Sequence, residues 1–181
     1  MALAETLPFG IRDIKLSTVS GTGTVGGTSV DLPNARTLSF EESEDFEDLL
    51  GDDKKVATKG AGSIVEWELE AGGISLEALA VMAGGTVTST GTTPNQVKKY
   101  VKLATDARPD FKIEGQAISE SGGDVHCIIW RAKVTDKIEG EFGNGQFFLT
   151  GASGEGLPSK TATHIDETYN LVQNETAVAI P

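Results

Sequence analysis

Ser63-Ile64-Val65-Glu66-Trp67-Glu68-Leu69-Glu70 alternates residue by residue. In an extended chain Val65, Trp67 and Leu69 fall on one side, and Glu66, Glu68 and Glu70 on the other. One face is fit for a core and the opposite face is a ladder of carboxylates. An antiparallel sheet with one packed and one wet face produces this pattern. No His converges on the ladder, and no second carboxylate cluster stands at ligand spacing. The pattern therefore argues against a metal centre or an acid/base pair.

Upstream, residues 41–53 are the most acidic stretch, with Glu41, Glu42, Glu44, Asp45, Glu47, Asp48, Asp52 and Asp53. Phe46, Leu49 and Leu50 are its apolar anchors. The sign then reverses at Lys54, Lys55 and Lys59. Residues 41–60 read as an extended hairpin or long loop that bends at Gly51-Asp52-Asp53. It is either a solvated mobile loop or a docking arm whose acidic limb meets basic residues on a neighbour. Glu44, Phe46, Asp48, Leu49, Asp52, Asp53, Lys54 and Lys55 are the candidates for such contacts. Earlier still, residues 10–18 read as a strand with Ile14 and Leu16 on one face. Residues 20–29 read as a loop or weak hairpin, and residues 34–41 as a strand with Leu38 and Phe40 inward.

Downstream, Ser75 can cap a short helix with Leu76, Leu79, Ala80 and Ala83 on one face, stopped by Gly84-Gly85. Residues 86–95 read as a polar loop. Strands follow at 96–105, 111–119, 124–133 and 146–151, with a turn at Gly122-Gly123. Val125-His126-Cys127-Ile128-Ile129-Trp130 is apolar on both faces, as in a central strand covered on two sides. Residues 163–173 read as a last edge strand or an arm leaving the body. The expected fold is mainly β: a sandwich or partly closed barrel with one short helix packed on it, in a single domain over 1–181.

The composition bounds the function. The chain has 181 residues, 22 of them Gly, a net charge of −12, one Cys and two His. That balance is wrong for gripping DNA or RNA, which needs a basic stripe. It is also the balance of an ordinary soluble acidic protein, and it does not argue against a wall that nucleic acid must pass. A single cysteine makes no internal disulfide, which fits folding in a cytoplasm. No phosphate-binding loop or nucleophile elbow is present, and Gly21-Thr22-Gly23-Thr24-Val25-Gly26 leads into no helix. His126 and Cys127 are neighbours on a strand and so point to opposite faces. His126 reads as a satisfied half-buried side chain and Cys127 as a small core residue. No catalytic residue, cofactor or metal is expected.

The stretch Phe46-Glu47-Asp48-Leu49-Leu50-Gly51-Asp52-Asp53-Lys54-Lys55-Val56-Ala57 resembles the long-loop region of major tail tube proteins from long non-contractile-tailed phages. Gly72-Gly73-Ile74-Ser75-Leu76-Glu77-Ala78-Leu79-Ala80 and Asp110-Phe111-Lys112-Ile113-Glu114-Gly115-Gln116-Ala117 are similar too, so the resemblance covers roughly residues 35–150. It implies a β-sandwich or barrel flanked by a helix. Such subunits form hexameric rings stacked into a hollow tube through which DNA leaves without specific binding. The loop over 41–60 would reach an adjacent ring. Residues 1–9 read as an N-terminal arm, and residues 152–181, outside the resemblance, as a C-terminal arm that bridges rings or an exterior decoration. Partners would be further copies of the chain and the tape-measure, tail-tip and tail-terminator proteins. The location would be the virion, after assembly in the bacterial cytoplasm, with no membrane anchor. Six chains at −12 give a ring with on the order of −70 formal charges. Glu66, Glu68 and Glu70 are candidates for the lumen wall, with the outer surface as the alternative. A tail terminator, a connector or a type VI secretion tube would share the fold. A carbohydrate-binding sandwich would need Trp67 and Trp130 exposed, and both are expected in the core.

Overall fold

A computed structural model describes residues 6–181. In chain order the elements are β1 (Asp13–Val19), β2 (Val25–Asp31), β3 (Ala35–Gly51), β4 (Lys54–Gly72), α1 (Leu76–Ala83), β5 (Thr86–Thr90), β6 (Val97–Val101), β7 (Asp110–Ile118), β8 (Asp124–Lys133), β9 (Ile138–Gly140), β10 (Leu149–Gly156) and β11 (Tyr169–Asn174). Nine strands form one antiparallel sheet in the order β2-β1-β7-β8-β10-β4-β3, with β11 beside β8 and β9 beside β10. β5 and β6 pair separately. The fold is mainly β with one short helix, as the sequence pattern predicts.

The sheet folds over at β8. One edge of β8 pairs with β7. The other edge is shared, with β11 along residues 124–129 and β10 at Ala132 and Lys133. β10 then runs along β4 over its whole length. This corner brings two halves of one sheet face to face. Ile14, Leu16, Phe111, Ile113 and Ile129 from one half meet Trp67, Leu69, Ala71 and Ala152 from the other in a single core cluster. The Trp67 and Phe111 rings meet edge to face, 5.7 Å apart. Each such buried large side chain contributes about 1.5–3 kcal/mol by leaving water. β2 and β3, the two end strands, do not pair, so the barrel stays open. Leu38 reaches into the open gap between β3 and β7, and its Cδ2 lies 2.5 Å from where a Cβ on Gly115 would stand.

The structure departs from the sequence expectation at several elements. Of the two readings of residues 20–29 the structure has the hairpin, with β2 paired to β1. Residues 86–95 begin with a strand and not a loop. Thr86–Thr90 pairs with Val97–Val101 because Thr and Val favour the extended chain even without a core beneath them. The helix is capped by Ser75, whose hydroxyl accepts from the Ala78 N–H at 3.2 Å, and ends at Gly84 with φ +77°. Its buried residues are Ala78, Val81 and Met82, not the Leu76/Leu79/Ala80/Ala83 stripe, although Leu79 still packs against the core. Tyr100 and Lys102 donate to the Gly84 and Ala83 carbonyls at the helix C-terminus. Phe40 shares the Leu38 face but is only half covered. The core ends there, and its ring rests 5.0 Å from that of Tyr169.

The segment 152–181, expected as an arm, is placed on the body. Ala152 is buried in β10, β11 pairs with β8, and Ile180 is buried against the outer face of the sheet. Of the arm expected over residues 1–9, residues 1–5 lie outside the described residues. Leu7 to Phe9 lie along the end of β7, with the Phe9 N–H donating to the Ile118 carbonyl.

Candidate assembly surfaces

β3 and β4 are paired from Ala35–Ala71 to Gly51–Lys54, well past the core. The tip is a two-residue turn at Asp52 and Asp53, with φ +47° and +60°. Two consecutive left-handed residues make a type I′ turn, the form that matches strand twist. The 41–60 segment is thus an ordered hairpin in this structure. Beyond residue 43 it projects by about 30 Å at the usual rise per strand residue.

All of the expected contact residues lie on this ribbon. Phe46 faces Gly60, Leu49 faces Ala57 and Lys54 faces Gly51. Phe46, Leu49 and Leu50 are exposed, at 62%, 63% and 71%. Asp48 holds Lys55 at 2.7 Å and accepts from the Thr58 hydroxyl at 2.9 Å, so the two limbs are cross-linked by their own opposite charges. Glu44 stands opposite Ser63, before the bulge that lets the ribbon bend.

Val65, Trp67 and Leu69 are buried, and Glu66, Glu68 and Glu70 point away from the core. Strand register adds what the sequence reading lacked. Glu41 on β3, Glu66 on β4 and Glu155 on β10 stand side by side across three strands. Like charges directly opposite destabilise a sheet. With Glu68 and Asp136 they line an open cleft of about 520 Å³. Glu70 departs from this group, because Arg36 pairs with it at 3.1 Å. Glu155 lies far along the chain, so only the pairing of β10 with β4 could reveal it.

A second apolar surface was also missed. Phe142 and Phe147, in the loop before β10, are 86% and 94% exposed. The signal was present as Phe147-Phe148 directly after Gly143-Asn144-Gly145-Gln146, aromatic residues in a turn-forming stretch.

On the opposite half of the sheet, charge is buried and paired. His126 is buried between Glu114 on β7, at 3.1 Å, and Asp124 on its own strand, at 3.0 Å. It is therefore more deeply placed than the half-buried side chain expected. Burial favours the neutral ring, but hydrogen bonds to Glu114 and Asp124 outweigh it and raise its pKa above the usual 6.5. Burial likewise pushes the Asp124 carboxyl up. Donors from Gln116, Asn174, Val178 and His126 overcome that and hold it at about 2. Cys127 faces the other way, and burial pushes its thiol up to about 11. Trp130 is not a core residue. It is half-buried on the outer face, stacked under His164 at 3.7 Å, with the Lys112 ammonium 5.0 Å from its ring centre.

Among the described residues no group of three or more His, Cys, Asp or Glu is arranged to hold a metal ion. No protein-family model matches the chain, and no curated protein matches it significantly.

Proposed function

We propose that this chain is a structural subunit of a phage tail tube, acting by self-assembly and not by catalysis. The observation that carries the reading is the β3–β4 ribbon. A lone two-stranded ribbon is marginal in water, and this one exposes Phe46, Leu49, Leu50 and Val56 beyond the core. Such a limb is accounted for by a neighbour that covers it. The sequence resemblance supplies the rest: hexameric rings stacked into a hollow tube, joined ring to ring through the ribbon, with DNA passing along the lumen. The Glu41, Glu66, Glu68 and Glu155 face is the candidate lumen wall, because a surface of one sign repels a phosphate backbone. The burial of Trp67 and the stacking of His164 on Trp130 weigh against a sugar-binding module.

Electron microscopy of the concentrated protein, alone and with tail-tip proteins, tests the reading. The expected outcome is hollow tubes with six-fold end views in at least one condition. A Phe46→Ala/Leu49→Ala variant should form none. It should keep its subunit stability within about 1 kcal/mol, since both side chains are exposed. Monomers in both conditions would sink the tube. Normal tubes from the variant would move the joint elsewhere.

A further inference from the structure

The segment after β11 crosses the outer face of β8, β7 and β1, and backbone atoms hold it there. The Val178 N–H donates to Asp124 Oδ2 at 2.9 Å. The Val178 carbonyl accepts from Gln116 Nε2 at 2.9 Å and from His126 Nε2 at 3.0 Å. Farther on, the Lys15 ammonium donates to the Ile180 carbonyl and the Ser29 hydroxyl to Pro181 O. Of its side chains, Ile180 is buried while Val178 remains exposed.

His126 has an unusual set of partners. Among the described residues, Nδ1 faces the Glu114 carboxylate, and Nε2 faces the Asp124 carboxylate and the Val178 carbonyl. An ionised carboxylate and a carbonyl only accept, so a ring that donates from both nitrogens satisfies all three. The imidazolium is the ring form that fits this set of partners.

We propose that residues 175–181 form a pH-dependent latch, fastened to the body by doubly protonated His126. When the ring loses a proton, one nitrogen becomes an acceptor facing an acceptor. Either Glu114 loses its His126 donor, or Val178 and Asp124 lose theirs. Either choice sets a ring lone pair against a buried oxygen and removes one positive charge from between two carboxylates under the segment. The charged groups on this face are Asp31 on β2, Asp13 and Lys15 on β1, Lys112 and Glu114 on β7, and Asp124 on β8. β11 brings only Asn170, Val172 and Asn174 to it, and the segment beyond carries Glu175. Lys112 pairs with the second oxygen of Glu114. The latch belongs to the single subunit and holds whether or not subunits assemble.

The sign follows from the raised pKa of His126. The latch is fully fastened below the free-ring value of about 6.5 and loosens as pH rises through the higher folded value. In that window the opening equilibrium grows by up to about tenfold per pH unit. Hydrogen-exchange mass spectrometry of the full chain, corrected for intrinsic exchange and run from pH 5.5 to 9, reads this in the peptide covering 175–181. Wild type should lose protection there with rising pH while β7 and β8 stay protected, and His126→Gln should show no pH step. Constant protection in wild type overturns the latch, and so does an unchanged step in His126→Gln, which would place the titrating group elsewhere. If the variant fails to fold, the wild-type ring still decides. Its nitrogen chemical shifts at pH 6 must be those of an imidazolium, and a neutral ring there overturns the proposal.

Discussion

Two glycines on the strands show how the same small change meets different neighbours. A Cβ on Gly154 would lie 2.0 Å from the Lys133 carbonyl oxygen and 2.8 Å from the Thr135 nitrogen, both backbone at the corner where β8 leaves the sheet. Neither can move without unpairing β10. A Cβ on Gly115 would strike only the end of the Leu38 side chain, which can swing into the open gap. Gly154→Ala should therefore destabilise the subunit by about 3 kcal/mol, and Gly115→Ala by about 1 kcal/mol or less. Urea denaturation followed by Trp fluorescence reads both. Equal losses would show that the corner is more pliable than its contacts indicate. Nothing in the local sequence separates these two glycines, because the obstruction comes from residues about twenty positions away in one case and almost eighty in the other.

At the scale of elements, the β3–β4 hairpin was readable because turn and limbs agree. Asp52-Asp53 accepts left-handed backbone better than most pairs, and the charge reversal across the turn lets Asp48 hold Lys55. Gly tolerates that backbone without strain. Asp53→Gly should keep or strengthen the hairpin, whereas Asp53→Val should weaken it by about 1–2 kcal/mol, since a β-branched residue resists positive φ. Amide exchange in residues 44–60 distinguishes the two, and equal protection would mean the turn does not set the register. The helix was legible at its ends but not in its facing. Ser75 and Gly84 act through local hydrogen bonds, while the choice of Ala78, Val81 and Met82 as the buried side depends on where β1, β2 and β7 lie.

For the whole molecule, the net charge of −12 opposes bringing copies together. The row of Glu41, Glu66 and Glu155 adds repulsion already present within one subunit. Salt screens such repulsion, with a Debye length of about 10 Å at 0.1 M. Self-association followed by light scattering should therefore rise between low salt and about 0.5 M NaCl. A fall would mean that opposite-charge contacts, such as Lys54 and Lys55 against a neighbour's carboxylates, dominate the joint.

The sequence alone determined the properties that depend on near neighbours in the chain. Alternation at 63–70 set one buried and one acidic face, the Gly51-Asp52-Asp53 bend with its charge reversal narrowed residues 41–60 to a hairpin or a long loop, and Ser75 with Gly84 bounded a short helix. These follow from steric limits and hydrogen bonds within a few residues. Tertiary structure decided what depends on register between distant strands. It placed Glu155 beside Glu66, folded residues 152–181 back onto the body, drew Trp130 out of the core and set His126 between two carboxylates under Val178. Pairing strands far apart in sequence is governed by how two halves of a sheet close over a shared core, and no local stretch of residues encodes that closure.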